Sequence, residues 1–132
     1  MNGVNNFTPP YVKYSTGETV VGEWIDGKPV YQRVFTGTLP ALQADGNLRY
    51  TGASLMTSFS GTLLGYEGHV MLKRNGQLLD LGLPHNLVGG DNTVISSGNL
   101  YFNSPTAWLE VKTSHTASTY GNYAIVVRYI KN

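Results

Sequence analysis

Residues 14–35 read YSTGETVVGEWIDGKPVYQRVF, and the reading of this stretch sets the fold. At its centre Asp26-Gly27 stands between two runs rich in Val, Trp, Tyr and Phe. A two-residue type I′ turn needs positive φ at both central positions, which Asp and Gly tolerate, so Asp-Gly flanked in this way signals a β-hairpin. Such a turn pairs Ile25 with Lys28, Trp24 with Pro29 and Gly22 with Tyr31. Trp24–Pro29 then falls at a non-hydrogen-bonded position, where the N–H that proline lacks is not needed between the two strands, although it points to an edge on the other side. The ring of Tyr31 covers the bare backbone at Gly22.

The same pattern continues outward from the hairpin. Sixteen glycines break every segment long enough to be a helix. Asp45-Gly46 marks a turn before Leu48-Arg49-Tyr50, and the apolar, hydroxyl-rich run 53–64 is interrupted at Gly61. Segments 69–74 and 77–83 flank Asn75-Gly76, a second type I′ signal, which pairs Leu72 with Leu79 and Val70 with Leu81. Ser97-Gly98 suggests a third hairpin, between 93–96 and 99–102. Segments 107–113 and 123–130 alternate well, and Tyr123, Ile125, Val127 and Tyr129 share one face. Short strands with turn signals roughly every 8–12 residues describe an all-β fold. The expectation is an antiparallel β-sandwich, jelly-roll-like and built from hairpins, with a small closed barrel as the alternative. Residues 1–10, ending in Pro9-Pro10, read as an extended linker or fragment boundary, and 11–132 as a single β-sandwich domain. The long connections are 36–47, 84–92 and 114–122, where recognition is expected on a rigid sandwich.

Composition narrows the function. Charged residues make up 13% of the 132 residues, against about 25% in an average soluble protein, and Ser, Thr, Asn and Gly supply the polarity instead. The formal net charge is +1, with four basic and four acidic residues in 1–66 and five and four in 67–132. No basic stripe is present to displace counterions from a phosphate backbone, so nucleic acid is not an expected partner. No apolar run approaches the roughly 18 residues of a membrane span, and the first ten residues lack the pattern of a signal peptide. The absence of cysteine excludes a disulfide framework and a thiolate metal site.

Both ends of the chain resemble a known family. Val20-Val21-Gly22-Glu23-Trp24-Ile25-Asp26-Gly27-Lys28-Pro29-Val30-Tyr31, preceded by Tyr14-Ser15-Thr16, is similar to a segment that opens the C-terminal all-β domains of bacteriophage tail-fibre, head-fibre and baseplate proteins. Members often continue with two basic residues, where this chain has Gln32-Arg33. Residues 126–132, VVRYIKN, resemble the family's last strand, which often closes on Tyr-Thr-Lys; Ile130 and Asn132 depart from that ending. Residues 41–120 are unmatched. The resemblance implies a non-enzymatic virion appendage domain, a fibre tip that recognises a host cell-surface polysaccharide as a homotrimer below an upstream fibre shaft. The alternative from the same family is a structural, trimerising or capping module. The low charge and the many strand tyrosines also suit faces buried between subunits. The motif is scaffold, and it carries over no ligand residue.

The residues themselves show little catalytic pattern. His69, His85 and His115 are far apart and lack metal-binding spacings, so no metal or other cofactor is expected. The glycine cluster 88–92 has neither a basic partner nor a following helix, and reads as a wide turn rather than an anion site. Glu67, Asp80, Asp91 and Glu110 are the carboxylates that a polysaccharide-degrading enzyme would have to pair, and Asp80 and Glu110 read as solvent-face positions. Nine Tyr and two Trp are more aromatic surface than a small core needs. Trp108 reads first as inter-sheet core and second as a sugar-stacking platform. Tyr120 sits in the polar stretch 114–122, either as an exposed stacking contact or as a loop anchor. Aromatic rings beside hydroxyl and amide groups are the chemistry of carbohydrate sites. The expected ligand contacts are therefore Tyr120 with His115 and Asn122, a second wall in 84–92 from His85, Asn86, Asp91 and Asn92, and Trp108 as the strand-face alternative.

Overall fold

The computed structural model describes residues 14–45, 48–74, 77–88, 94–103, 106–113 and 118–132. Ten strands follow in chain order: β1 (Thr19–Glu23), β2 (Pro29–Thr38), β3 (Gln43–Asp45), β4 (Leu48–Met56), β5 (Gly61–Arg74), β6 (Gln77–Leu83), β7 (His85–Val88), β8 (Val94–Asn103), β9 (Thr106–Thr113) and β10 (Ser118–Lys131). They form two antiparallel five-stranded sheets, sheet A in the order β1-β2-β10-β5-β6 and sheet B in the order β3-β4-β9-β8-β7. The all-β sandwich read from the sequence is the observed architecture. The pairs β2–β10 and β4–β9 nest one inside the other along the chain, as in a jelly roll, while β5–β6 and β7–β8–β9 are plain hairpins.

The central hairpin forms with one more loop residue than expected. Gly27 N–H donates to Trp24 O at 2.9 Å, and Trp24 N–H donates to Lys28 O at 2.8 Å. Ile25-Asp26-Gly27 is therefore a three-residue loop, a turn followed by a residue of positive φ, with Gly27 at 89°. Asp26 Oδ1 accepts the Lys28 N–H at 3.0 Å, which occupies the amide that the longer loop leaves over. The register moves by one residue: Glu23 faces Pro29, Gly22 faces Val30, and an irregularity between Val20 and Gly22 sets Val20 opposite Tyr31. Pro29 still lies next to a hydrogen-bonded pair and beyond the last β2–β10 pair, Tyr31 with Tyr129. Its missing N–H is therefore needed on neither side.

Alternation builds the core. On β10, Ile125 and Val127 are fully buried and Tyr129 nearly so, the inward face expected from the sequence. Sheet B opposes them with Leu100, Ala107, Leu109 and Val111, and Val70 of β5 joins the same cluster. Burying a side chain of this size contributes about 1.5–3 kcal/mol each, so these positions dominate the stability of the domain. At one end Phe59 packs edge-on against both Phe102 and Tyr129, with ring centroids 5.0 Å apart in each case. Tyr66 ties the sheets together, its hydroxyl oxygen accepting the Leu100 N–H at 3.2 Å.

Several boundaries differ from the sequence reading. Leu72 faces Leu79 and Val70 faces Leu81 as expected, while the turn at Asn75-Gly76 lies outside the described residues. Ser97-Gly98 is not a hairpin: β8 runs unbroken through both. A Cβ at Gly98 would come within 2.6 Å of Leu83 Cδ2 and 2.7 Å of His85 Cε1. The glycine there provides for close packing, not for a turn. The connections are also shorter than expected. Residues 36–38 belong to β2, 85–88 to β7 and 118–122 to β10, because β10 finds partners on both sides, Thr38 opposite Asn122 and Arg74 opposite Ser118. Thr119 and Tyr120 pair with β5, and Thr and Tyr suit a strand whatever their polarity suggests about loops.

Candidate functional site

Strand β9 alternates without exception. Ala107, Leu109, Val111 and Thr113 are fully buried, and Thr106, Trp108, Glu110 and Lys112 point the other way, half-buried. Leu109 and Val111 take the inner face, so Trp108 must take the outer one. The inter-sheet core expected for this tryptophan is overturned. Residues directly opposite one another share a face, and Trp108 faces Ser54 on β4 and Tyr101 on β8. The Tyr101 and Trp108 rings lie 5.8 Å apart at 38°, and Tyr101 is 44% exposed.

Beside this ring pair a groove of about 380 Å3 lies over β4 and β9, lined by Tyr50, Gly52, Ala53, Ser54, Thr106 and Trp108. Tyr50 is held by its hydroxyl, which donates to Gln43 Oε1 at 3.0 Å. Further along the same face Asn99 Nδ2 donates to Asn86 Oδ1 at 3.2 Å. Glu110 and Lys112 form an ion pair at 3.4 Å. Rings, hydroxyls and amides on a flat outward face can stack on the C–H side of a sugar while bonding its hydroxyls.

The other expected contacts do not gather around Trp108. His85 lies on β7, where Nδ1 is 2.9 Å from Gly82 O and Nε2 is 3.0 Å from Ser96 Oγ. A carbonyl only accepts, so Nδ1 donates and Nε2 accepts the serine proton. Both nitrogens are thus spent, Nδ1 fastening the β6–β7 crossover and Nε2 tying β7 to β8. Asn122 is an exposed β10 residue whose Oδ1 accepts the Thr38 hydroxyl at 2.8 Å. Tyr120 is a strand residue opposite Leu72, not part of a loop. His115, Asp91 and Asn92 lie outside the described residues. The strand ends that flank 89–93 and 114–117 do lie at one end of the sandwich, since Val88 pairs with Val94 and Ser96 with Thr113.

A second and larger cleft, about 540 Å3, opens where the sheets part near the ends of β4 and β10. Within it Glu18 accepts hydrogen bonds from the Tyr129 hydroxyl and from Lys131, both at 2.5 Å. Burial pushes the Glu18 carboxyl up, but the bonds from Lys131 and Tyr129 outweigh it and leave the group below its ordinary range. The Glu18 bond holds Lys131 above its usual value, and burial first and Glu18 second push Tyr129 well up. Arg33 lines the same cleft, its guanidinium 4.7 Å above the Phe35 ring. This cluster joins the segment before β1 to the end of β10.

The described carboxylates with catalytic potential are each engaged: Glu67 with Arg128 at 2.9 Å, Asp80 with His69 at 3.2 Å and Glu110 with Lys112. Asp91 lies outside the described residues. Among the described residues no three His, Cys, Asp or Glu side chains gather as metal ligands.

Ser54 and Thr106 are members of the sheet-B face that sequence reasoning left unassigned, and Tyr50 and Tyr101, expected as core or subunit packing, stand on it as well. The alternation of TAWLEVKT already placed Trp108 opposite to Leu109 and Val111. Tyr101 could not be set beside it while a hairpin was read at Ser97-Gly98. No protein-family model matches the chain, and no curated protein or solved structure matches it significantly.

Proposed function

We propose that this domain is a non-enzymatic recognition module of a bacteriophage appendage, a fibre, head-fibre or baseplate tip on the virion, that binds a host cell-surface glycan as a homotrimer on an upstream shaft. The observation that carries this reading is the Trp108–Tyr101 ring pair, turned outward beside a groove of hydroxyl groups. The division of the chain supports it. The segments that resemble phage fibre domains contribute β1, the start of β2 and the end of β10 in sheet A, whereas all of sheet B, with β5 and β6 of sheet A, comes from the unmatched 41–120. Matched strands in one sheet beside a second sheet of wholly different sequence suit a receptor-binding tip.

A glycan array and a pull-down on host cells test the reading, with Trp108→Ala and Tyr120→Ala compared side by side. Loss of binding in a folded Trp108→Ala protein, with Tyr120→Ala unaffected, places recognition on the strand face. The reverse outcome returns it to the loop end of the sandwich near His115 and Asp91. A protein that binds no glycan and no host cell would instead be a capping or trimerising module. Incubation with host polysaccharide should release no reducing ends. Release that is lost on changing Glu67, Asp80, Asp91 or Glu110 to Ala would make the domain an enzyme.

A further inference from the structure

We infer that the groove along β4 takes an extended, uncharged saccharide, lying along the strand from Trp108 toward Tyr50 and not as a single ring on the Trp108–Tyr101 pair. The inference rests on the glycan-binding reading above and specifies its ligand. Shape gives the first argument. Tyr50 and Ser54 lie on one face of one strand, four residues apart, which at about 3.4 Å per residue is roughly 13 Å. That span is longer than one pyranose ring.

Between them Gly52 contributes no side chain; a Cβ there would meet the Leu109 carbonyl oxygen of β9 at 2.3 Å and Trp108 Cε3 at 3.4 Å. The indole therefore reaches to the edge of an open floor of backbone, with the Tyr50 ring at the other end. A side chain at residue 52 could not be added without shifting the backbone of β4 or β9 under the groove.

Charge gives the second argument. Among the described side chains of this face the only charged groups are Glu110 and Lys112, and they neutralise one another at 3.4 Å. Among the described side chains of this face no cation is left over to attract a carboxylate or phosphate. The polar groups that remain are neutral. Ser54 and Thr106 line the groove, and the Tyr50 oxygen, whose proton goes to Gln43, can still accept a bond. Neutral donors and acceptors between aromatic surfaces match the hydroxyls and C–H faces of a neutral sugar chain.

The test titrates the full chain with neutral hexose oligosaccharides of increasing length and with uronic-acid oligosaccharides of matched length, following tryptophan fluorescence and heat. Neutral oligomers should bind more tightly as they lengthen, with no loss on adding salt. Trp108→Ala and Tyr50→Ala should each weaken binding about tenfold or more, with melting temperatures close to that of the parent protein. Preference for uronic acids, affinity that falls with salt, or equal affinity for a monosaccharide overturns the inference. So does unchanged binding by both variants. In each of these cases the glycan-binding reading stands. If neither series binds and host cells are not bound either, that reading falls and the groove assignment falls with it.

Discussion

At the residue scale, Gly27 and Glu18 each fix a local geometry that another residue would not reproduce. Gly27 holds φ at 89°, a conformation that β-branched side chains resist. Gly27→Val should lower stability by about 1–3 kcal/mol, read as a fall in melting temperature; an unchanged melt would mean that the loop takes another form. Glu18 tests the tether across the cleft. Its carboxyl is held below the ordinary 4.5, so the folded state binds its proton less readily than the unfolded chain does. The stabilisation is present above the unfolded value and is lost as pH falls through the lowered folded value. Because the group is partly open to solvent, the effect should stay below about 1 kcal/mol. Stability curves of the parent and Glu18→Gln should therefore converge as pH drops below 4.5; parallel curves would remove Glu18 from the account.

At the element scale, Gly98 lets β8 run straight beneath the His85 ring. Gly98→Val has to displace Leu83 and His85 together, and overpacking of this kind costs about 1–3 kcal/mol, which chemical denaturation would measure. A variant as stable as the parent would show that the crossover yields easily. This position also shows where sequence reading stops. A glycine after a serine looks the same whether it turns a chain or makes room for a ring, and only the partner brought in from β7 separates the two. Features that depend on turn signals and alternation were legible: Val70 with Leu81 from Asn75-Gly76, the shared face of Ile125, Val127 and Tyr129 on β10, and the sandwich itself. The hairpin was legible too, although its register was not, because a two-residue and a three-residue loop use the same Asp-Gly pair. The site was legible only in part. Trp108 was singled out, but its companions come from β4 and β8, and their positions opposite it follow from strand order rather than from spacing along the chain.

At the scale of the whole molecule, the exposed apolar side chains of the first hairpin, Ile25 at 92%, Val20 at 58% and Trp24 at 39%, suit a surface covered by another chain. Light scattering should return three times the 14.4 kDa chain mass, and a monomer across micromolar concentrations would count against the homotrimer. The order of sheet A has a consequence of a different kind. Its middle strand, β10, comes last of the ten strands, and its neighbours β2 and β5 were made long before it. During synthesis the hairpins β5–β6 and β7–β8–β9 can close as they emerge, since their partners are adjacent in the chain. Sheet A cannot close until β10 arrives, and pairings across so many residues are slow to form. Until then β2 and β5 each present an open edge to their surroundings. The newborn chain is therefore most vulnerable to wrong partners in the interval before β10 leaves the ribosome.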